Sequence, residues 1–323
     1  MRAPERVVVR APNWLGDTVL SLPALRDLRR NLPAARLEVL ALPAVAEVDS
    51  VRESRGFQAD VASLRGAFDL GLLLPNSFGT ALQLFQAGVP ERWGYATDGR
   101  GGLLTRRCSV PPEVRGESEV YYYRAMLAGL GQKVTAAPDA TLTVPPDWRE
   151  RARSLLGGEG PWLGINPGAS FGTAKRWLPA RYAAVADLLA RSHGLRAVVV
   201  GGPAERPVAE ALAAAMRTPV RVLCGQTGLR ELMGVLSELR LLLTNDSGPM
   251  HLAAALGTRV AAVFGSTNWR ETAPFTTRAA VVRQDVHCAP CKLRECPIDH
   301  RCMTRVSVER VFAAASGLLE EVA

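Results

Sequence analysis

The chain has 323 residues, with 39 Lys and Arg against 31 Asp and Glu, a net charge of +8. At 48% hydrophobic and 22% charged residues it is no disordered chain, and its length suits two hydrophobic cores. No apolar run nears the ~18–20 residues of a membrane span, a charged motif starts too early for a secretory leader, and no helix-turn-helix, zinc-finger or RNP-type pattern supports a nucleic-acid partner; a soluble cytoplasmic protein is expected.

In chain order, the pattern alternates strand and helix. Val7–Val9 reads as a strand that ends at Asn13-Trp14-Leu15-Gly16-Asp17, and a helix over Thr18–Arg30 follows. Strands are expected over Leu37–Leu42 and Leu70–Leu74, and a short helix over Ala81–Ala87. The texture changes near Pro145-Pro146-Asp147, and Gly157-Gly158-Glu159-Gly160-Pro161 reads as a linker. A second series follows, with strands over Leu163–Asn166, Ala197–Val200, Val220–Leu223, Leu241–Thr244 and Val260–Phe264. Its helices are expected over Ala180–Arg191, Ala204–Met216, Leu229–Leu236 and Met250–Leu256, and a last helix over Val308–Val322. Two β/α series imply an α/β chain of two doubly wound, Rossmann-like domains facing a cleft, with the first at 1–156 and the second at 161–306.

Ligands of such sheets bind where strands end and helices begin, which selects four segments. In the first, Asp17 beside Gly16 reads either as a helix cap or as a catalytic carboxylate. In the second, Asn166 to Trp177, small residues, Ser170 and Thr173 precede Lys175 and Arg176, a set suited to a pyrophosphate. It matches neither GxxxxGK[ST] nor GxGxxG. In the third, Thr244 to His251, Ser247 and the amides from Gly248 onward face the strand ends, and Asp246 reads as a cap or as a ligand to a hydroxyl. In the fourth, Glu205 after Gly201-Gly202-Pro203 is a carboxylate suited to a sugar diol or a first-turn helix residue.

Taken together, these segments, with Asn76-Ser77-Phe78, Arg92-Trp93-Gly94-Tyr95 and Lys175-Arg176-Trp177, resemble the bacterial ADP-heptose:lipopolysaccharide heptosyltransferases (glycosyltransferase family 9), their heptosyltransferase II branch in particular. The resemblance runs in order along nearly the whole chain. It implies a GT-B fold, with the last helix (307–323) packing back on the N-terminal, acceptor-binding domain. It also implies an inverting transfer of L-glycero-D-manno-heptose from ADP-heptose to the first heptose of heptosyl-Kdo-lipid A, at the cytoplasmic face of the inner membrane. Asp17 matches the family's general base and Lys175 the lysine on the donor phosphates. Ser170, Asp246, Ser247, Gly248 and His251 match the donor loops, and Glu205 and Thr227 fall where the nucleoside is held. Asn13, Arg106 and Arg107 are the candidates for the acceptor. No cofactor is required on this reading. The alternatives are a heptosyltransferase I-type or other nucleotide-sugar transferase with a different acceptor, and a non-catalytic nucleotide-sugar-binding protein.

The lipid-anchored acceptor calls for a peripheral membrane contact. Arg100, Arg106 and Arg107 around Gly99, Gly101 and Gly102, next to Leu103 and Leu104, form the candidate loop. Cys288, Cys291, Cys296 and Cys302 form C-x2-C-x4-C-x5-C, which suits a metal site, one or two disulfides, or a reduced packed knuckle. Cys108 and Cys224 read as isolated buried thiols.

Overall fold

The computed structural model describes residues 4–41 and 50–320, in two units, Met1–Ala140 and Thr141–Ala323. Leu42, the expected end of the second strand, and residues 321–323 of the expected last helix lie outside the described residues.

The first unit is built on a six-stranded sheet of β1 (Arg6–Arg10), β2 (Arg36–Ala41), β3 (Ser50–Glu53), β4 (Leu70–Leu73), β5 (Glu91–Tyr95) and β6 (Arg106–Cys108), in the order β3-β2-β1-β4-β5-β6. Every pairing is parallel; Val8 lies opposite Glu38 on one side and Gly71 on the other. A parallel sheet covered on both faces needs strands that are apolar throughout, and Val7–Val9 and Leu70–Leu73 are fully buried. Val8, Leu40 and Leu73 pack with Val61, Leu64, Ala81 and Leu84 of the covering helices and with Phe68 just before β4. Gly71 has no side chain because Leu84 occupies its place: a Cβ there would stand 2.4 Å from Leu84 Cδ1.

The helix expected over Thr18–Arg30 is two helices, Leu15–Leu20 and Leu22–Asn31. Pro23 carries no N–H and cannot continue the first helix, but it fits the first turn of the second. Ser21 bridges the break, its hydroxyl donating to Thr18 O at 2.7 Å.

The second unit repeats the plan with β7 (Trp162–Asn166), β8 (Arg196–Val199), β9 (Val220–Val222), β10 (Leu239–Asn245), β11 (Arg259–Phe264) and β12 (Ala279–Arg283), in the order β12-β11-β10-β7-β8-β9. In each unit the connections turn back at the centre of the sheet. The two switch points lie between β1 and β4 and between β7 and β10, where such sheets bind ligands.

The sequence places the domain boundary too late. Helix Pro146–Leu156 packs against helix Leu229–Ser237, and Leu142 N donates to Ala255 O at 2.7 Å, so the second unit begins at Thr141. Gly157-Gly158-Glu159-Gly160-Pro161 is not an interdomain linker. Gly157, at φ +76°, terminates helix Pro146–Leu156, and the segment leads into β7 of the same unit. The last helix, Val308–Glu320, also has its apolar face in the second unit. Val311, Ala315, Leu318 and Leu319 share a core with Leu243, Ala261, Val263 and Tyr182.

Candidate active site

In the first unit, Asp17 is the third residue of helix Leu15–Leu20, one connection beyond β1 at the switch point. Trp14 stands at the N-cap, so Asp17 is not the capping residue that its sequence position allows. It is half-buried, near the buried phenol of Tyr123, whose pKa is raised chiefly by burial and further by the charge of Asp17. Asn13 is exposed, and its Oδ1 accepts from Arg10 Nη2 at 2.9 Å; that bond fixes the side chain at the mouth of β1. Asn76, beyond β4, is held in the same way, its Oδ1 accepting from Thr97 Oγ1 at 3.0 Å and Tyr122 OH at 2.9 Å.

The proposed membrane loop divides on folding. Arg100 is fully buried, donating to Tyr95 O at 2.8 Å and to Pro75 O, and Leu104 is in the core. Neither reaches a lipid surface, because the short 3₁₀ turn Arg100–Leu103 folds inward over β5. Arg106 and Arg107 remain exposed, Arg106 stacked on Trp93 with its guanidinium 4.8 Å from the ring centroid and Arg107 donating to Gly101 O at 3.0 Å.

In the second unit, the candidate donor residues converge beyond β7 and β10. Lys175 Nζ donates to Asp246 Oδ2 at 2.8 Å, and the same oxygen accepts from Thr267 Oγ1 at 2.7 Å and Thr272 Oγ1 at 3.3 Å. Asp246 is buried and Lys175 only 14% exposed, so the ammonium is held in one place at the strand ends. Helix Gly248–Ala255 opens directly after. Ser247 occupies its N-cap without a side-chain cap bond, because its hydroxyl is turned to Asn166 Oδ1 at 2.8 Å. The first-turn amides thus lie beside the Lys175–Asp246 ion pair on this side of the sheet.

His251 is buried in the first turn of that helix, its Nε2 3.9 Å from Asp246, beyond hydrogen-bond distance. Burial lowers its pKa to about 4 despite the nearby carboxylate, so the ring is neutral at pH 7. Its Nδ1 finds no partner among the described residues. Ser170 is exposed in the turn after β7, and Thr227 is half-buried just before helix Leu229–Ser237.

Glu205 ends the short 3₁₀ turn Pro203–Glu205. It is buried, its Oε2 accepts from Gly202 N at 2.8 Å, and its carboxylate fills the space where Gly168 has no side chain. Burial, and after it the neighbouring Cys288, Cys296 and Cys291, push the Cys302 thiol up to about 11. All six cysteines are free thiols, and no group of three or more His, Cys, Asp or Glu among the described residues is arranged to hold a metal ion.

Thr267 and Thr272 of this site lie outside the segments that the sequence singles out, while Asn166 and Asn245 lie inside them without a role of their own. Asn245 is fully buried and sews the two loops together, accepting from Trp177 N and Tyr182 OH at 2.8 Å each and donating to Pro167 O at 2.8 Å and Gly168 O at 3.1 Å. The strand-end rule applied to Val260–Phe264 would have pointed to Thr267 and Thr272. Asn166 and Asn245 carry no separate signal, since an amide at a strand end looks the same whether it faces a ligand or a neighbouring loop.

The model of glycosyltransferase family 9 (heptosyltransferase) matches residues 61–301. This chain belongs to that family. The lipooligosaccharide heptosyltransferase 2 of Haemophilus influenzae is 28% identical over 306 residues, 86% of this chain and 88% of that protein. The lipooligosaccharide heptosyltransferase 2 of Campylobacter jejuni is 27% identical over 98% of both chains. The solved ADP-heptose LPS heptosyltransferase II of Escherichia coli superposes with a TM-score of 0.83 at 27% identity, covering 97% of this chain and 98% of that one. The two parallel sheets are thus those of a GT-B glycosyltransferase, and the family makes the chain a heptosyltransferase.

Proposed function

We propose that this member transfers L-glycero-D-manno-heptose from ADP-heptose to the first heptose of heptosyl-Kdo-lipid A, with inversion at the anomeric carbon. The observation that carries the donor half is the fixed Lys175–Asp246 pair beside the opening of helix Gly248–Ala255 at the β7/β10 switch point. In this reading the departing ADP gathers negative charge on its pyrophosphate as the glycosidic bond breaks. The Lys175 ammonium and the first-turn amides stabilise that charge in place, without reorganising at the moment of reaction. Asp246 holds the lysine rather than the sugar: a carboxylate alone would repel phosphate, and paired with Lys175 it aims the ammonium. Ser170 and Thr227 line the approach for the nucleotide.

Asp17 is the base that takes the proton of the attacking acceptor hydroxyl, and Asn13 orients the acceptor. The transition state is oxocarbenium-like, as in glycoside hydrolysis, so the hydroxyl becomes acidic late and a carboxylate suffices to take its proton. Assignment of the acceptor rests on the heptosyltransferase 2 relatives. The deciding experiment offers the enzyme ADP-heptose with either heptosyl-Kdo-lipid A or Kdo-lipid A and weighs the products by mass spectrometry. A gain of one heptose on heptosyl-Kdo-lipid A alone is expected. Transfer to Kdo-lipid A, or to neither, would overturn the acceptor assignment.

A further inference from the structure

The cysteine-bearing segment has a place in this unit that its sequence does not announce. Between Cys291 and Cys302 it lies against the loop that carries Lys175. Arg294 O accepts from Ala174 N at 2.9 Å, and His300 Nε2 lies 2.9 Å from Ala174 O. Ala174 is buried and directly precedes Lys175, so both of its backbone polar groups are held by this one segment. The approach leaves no slack: a Cβ on Gly172 would stand 2.2 Å from Arg294 O. Lys292 N donates to Ser266 O at 2.7 Å, which ties the segment also to the loop carrying Thr267, the second donor to Asp246.

His300 itself is rigidly mounted. It has φ +54°, a conformation His tolerates better than most residues, and its carbonyl accepts from Met303 N and Thr304 N at 2.9 Å each. The next turn places Cys302 in the core, where a Cβ on Gly265 would meet its sulfur at 3.0 Å. Because Ala174 O can only accept, Nε2 carries the hydrogen.

We infer that His300 is a positioning residue for Lys175: through Ala174 it sets the height of the lysine's turn, and with it the placement of the ammonium on the donor pyrophosphate. The inference rests on the donor reading given above. It makes the cysteine-bearing segment a buttress of the donor loop.

The test is a double-mutant cycle on ADP binding, read by calorimetry. His300→Ala should weaken ADP about three- to tenfold, the range for one neutral hydrogen bond, and leave the KM for the lipid-linked acceptor unchanged. In a Lys175→Ala background the same substitution should add nothing, since there is no ammonium left to place. His300→Gln, whose amide nitrogen reaches close to the Nε2 position, should recover most of the affinity. His300→Asn, which suits the positive φ but falls short of Ala174, should behave as His300→Ala does and stands in if that variant folds poorly. Equal losses with and without Lys175, or unchanged ADP affinity in His300→Ala and His300→Asn, would overturn the inference and leave the donor reading standing. Wild-type ADP affinity in Lys175→Ala itself would overturn both.

Discussion

Asp17 and His251 are single residues whose roles depend on their surroundings. Asp17 sits in a first helical turn whose N-cap position is Trp14, so replacing it by asparagine removes a charge and a proton acceptor without removing the residue at the cap. Asp17→Asn should lower turnover by ~10²-fold or more while the KM for ADP-heptose stays near the wild-type value. A variant that keeps its rate at saturating substrate would remove Asp17 from the mechanism.

His251 makes a prediction about stability. Its pKa in the fold is about 4 because burial disfavours the charged ring, whereas the unfolded chain titrates near the ordinary value of 6.5. Between those values the unfolded chain holds a proton that the folded one lacks. Stability is therefore complete above pH 6.5 and falls as the pH drops toward 4. From pH 7 to pH 5 the loss from this one group is about 2 kcal/mol. His251→Gln has no such group, so urea unfolding at the two pH values should show a smaller drop for the variant by about that amount. Parallel behaviour of the two proteins would mean that the ring takes up its proton in the fold as readily as in the unfolded chain.

At the scale of elements, close approach of helices decides which segment belongs where. Gly234 lies in helix Leu229–Ser237 against helix Pro146–Leu156, and a Cβ on it would stand 2.5 Å from Trp148 O and 3.0 Å from Ala152 Cβ. On an open helix Gly→Ala gains about 1 kcal/mol in propensity. Here the new methyl meets a backbone carbonyl that cannot yield without moving its helix, so Gly234→Ala should destabilise the protein by about 1–3 kcal/mol in urea unfolding. A stabilised variant would show that the two helices are not in contact. This contact also explains why the boundary at residue 156 was misplaced. The glycines after helix Pro146–Leu156 read as a linker, yet the helix before them, polar on average, has its buried Ala152 and Leu156 in the second unit.

For the whole molecule, the net charge of +8 is mostly arginine, and where those arginines lie determines what the charge can do. Arg100 is buried, whereas Arg106 and Arg107 stay at the surface on the edge strand β6. A test of whether these two contact a membrane is co-sedimentation with anionic vesicles, which on that reading should weaken as salt rises because the Debye length is only ~8 Å at physiological ionic strength. Arg106→Glu combined with Arg107→Glu should reduce co-sedimentation further, and should slow transfer to the lipid-linked acceptor more than to a deacylated, phosphate-free one. Salt-independent binding, or equal losses on both acceptors, would remove these arginines from the contact. Arg100→Gln tests a different property: it empties a buried guanidinium site and should show as lost stability, not lost vesicle binding.

The sequence by itself determined the α/β class, the two-sheet plan and the strand ends that carry Asp17, Lys175 and Asp246. These follow from local rules: apolar runs of strand length, helical periodicity and small polar turns between them. Strands β3, β5, β6 and β12 were not legible: each is short and only partly buried, and pairing with a neighbour makes it a strand. Tertiary structure alone decided that Asp246 grips Lys175 across 71 residues of sequence, that Glu205 turns back onto its own loop, that Arg100 points inward, and that His300 reaches Ala174 across 126 residues. Each is a choice of partner among several chemically equivalent ones. A carboxylate, a guanidinium or an imidazole carries the same hydrogen-bonding capacity wherever it stands, and only packing determines which donor or acceptor comes within 3 Å of it.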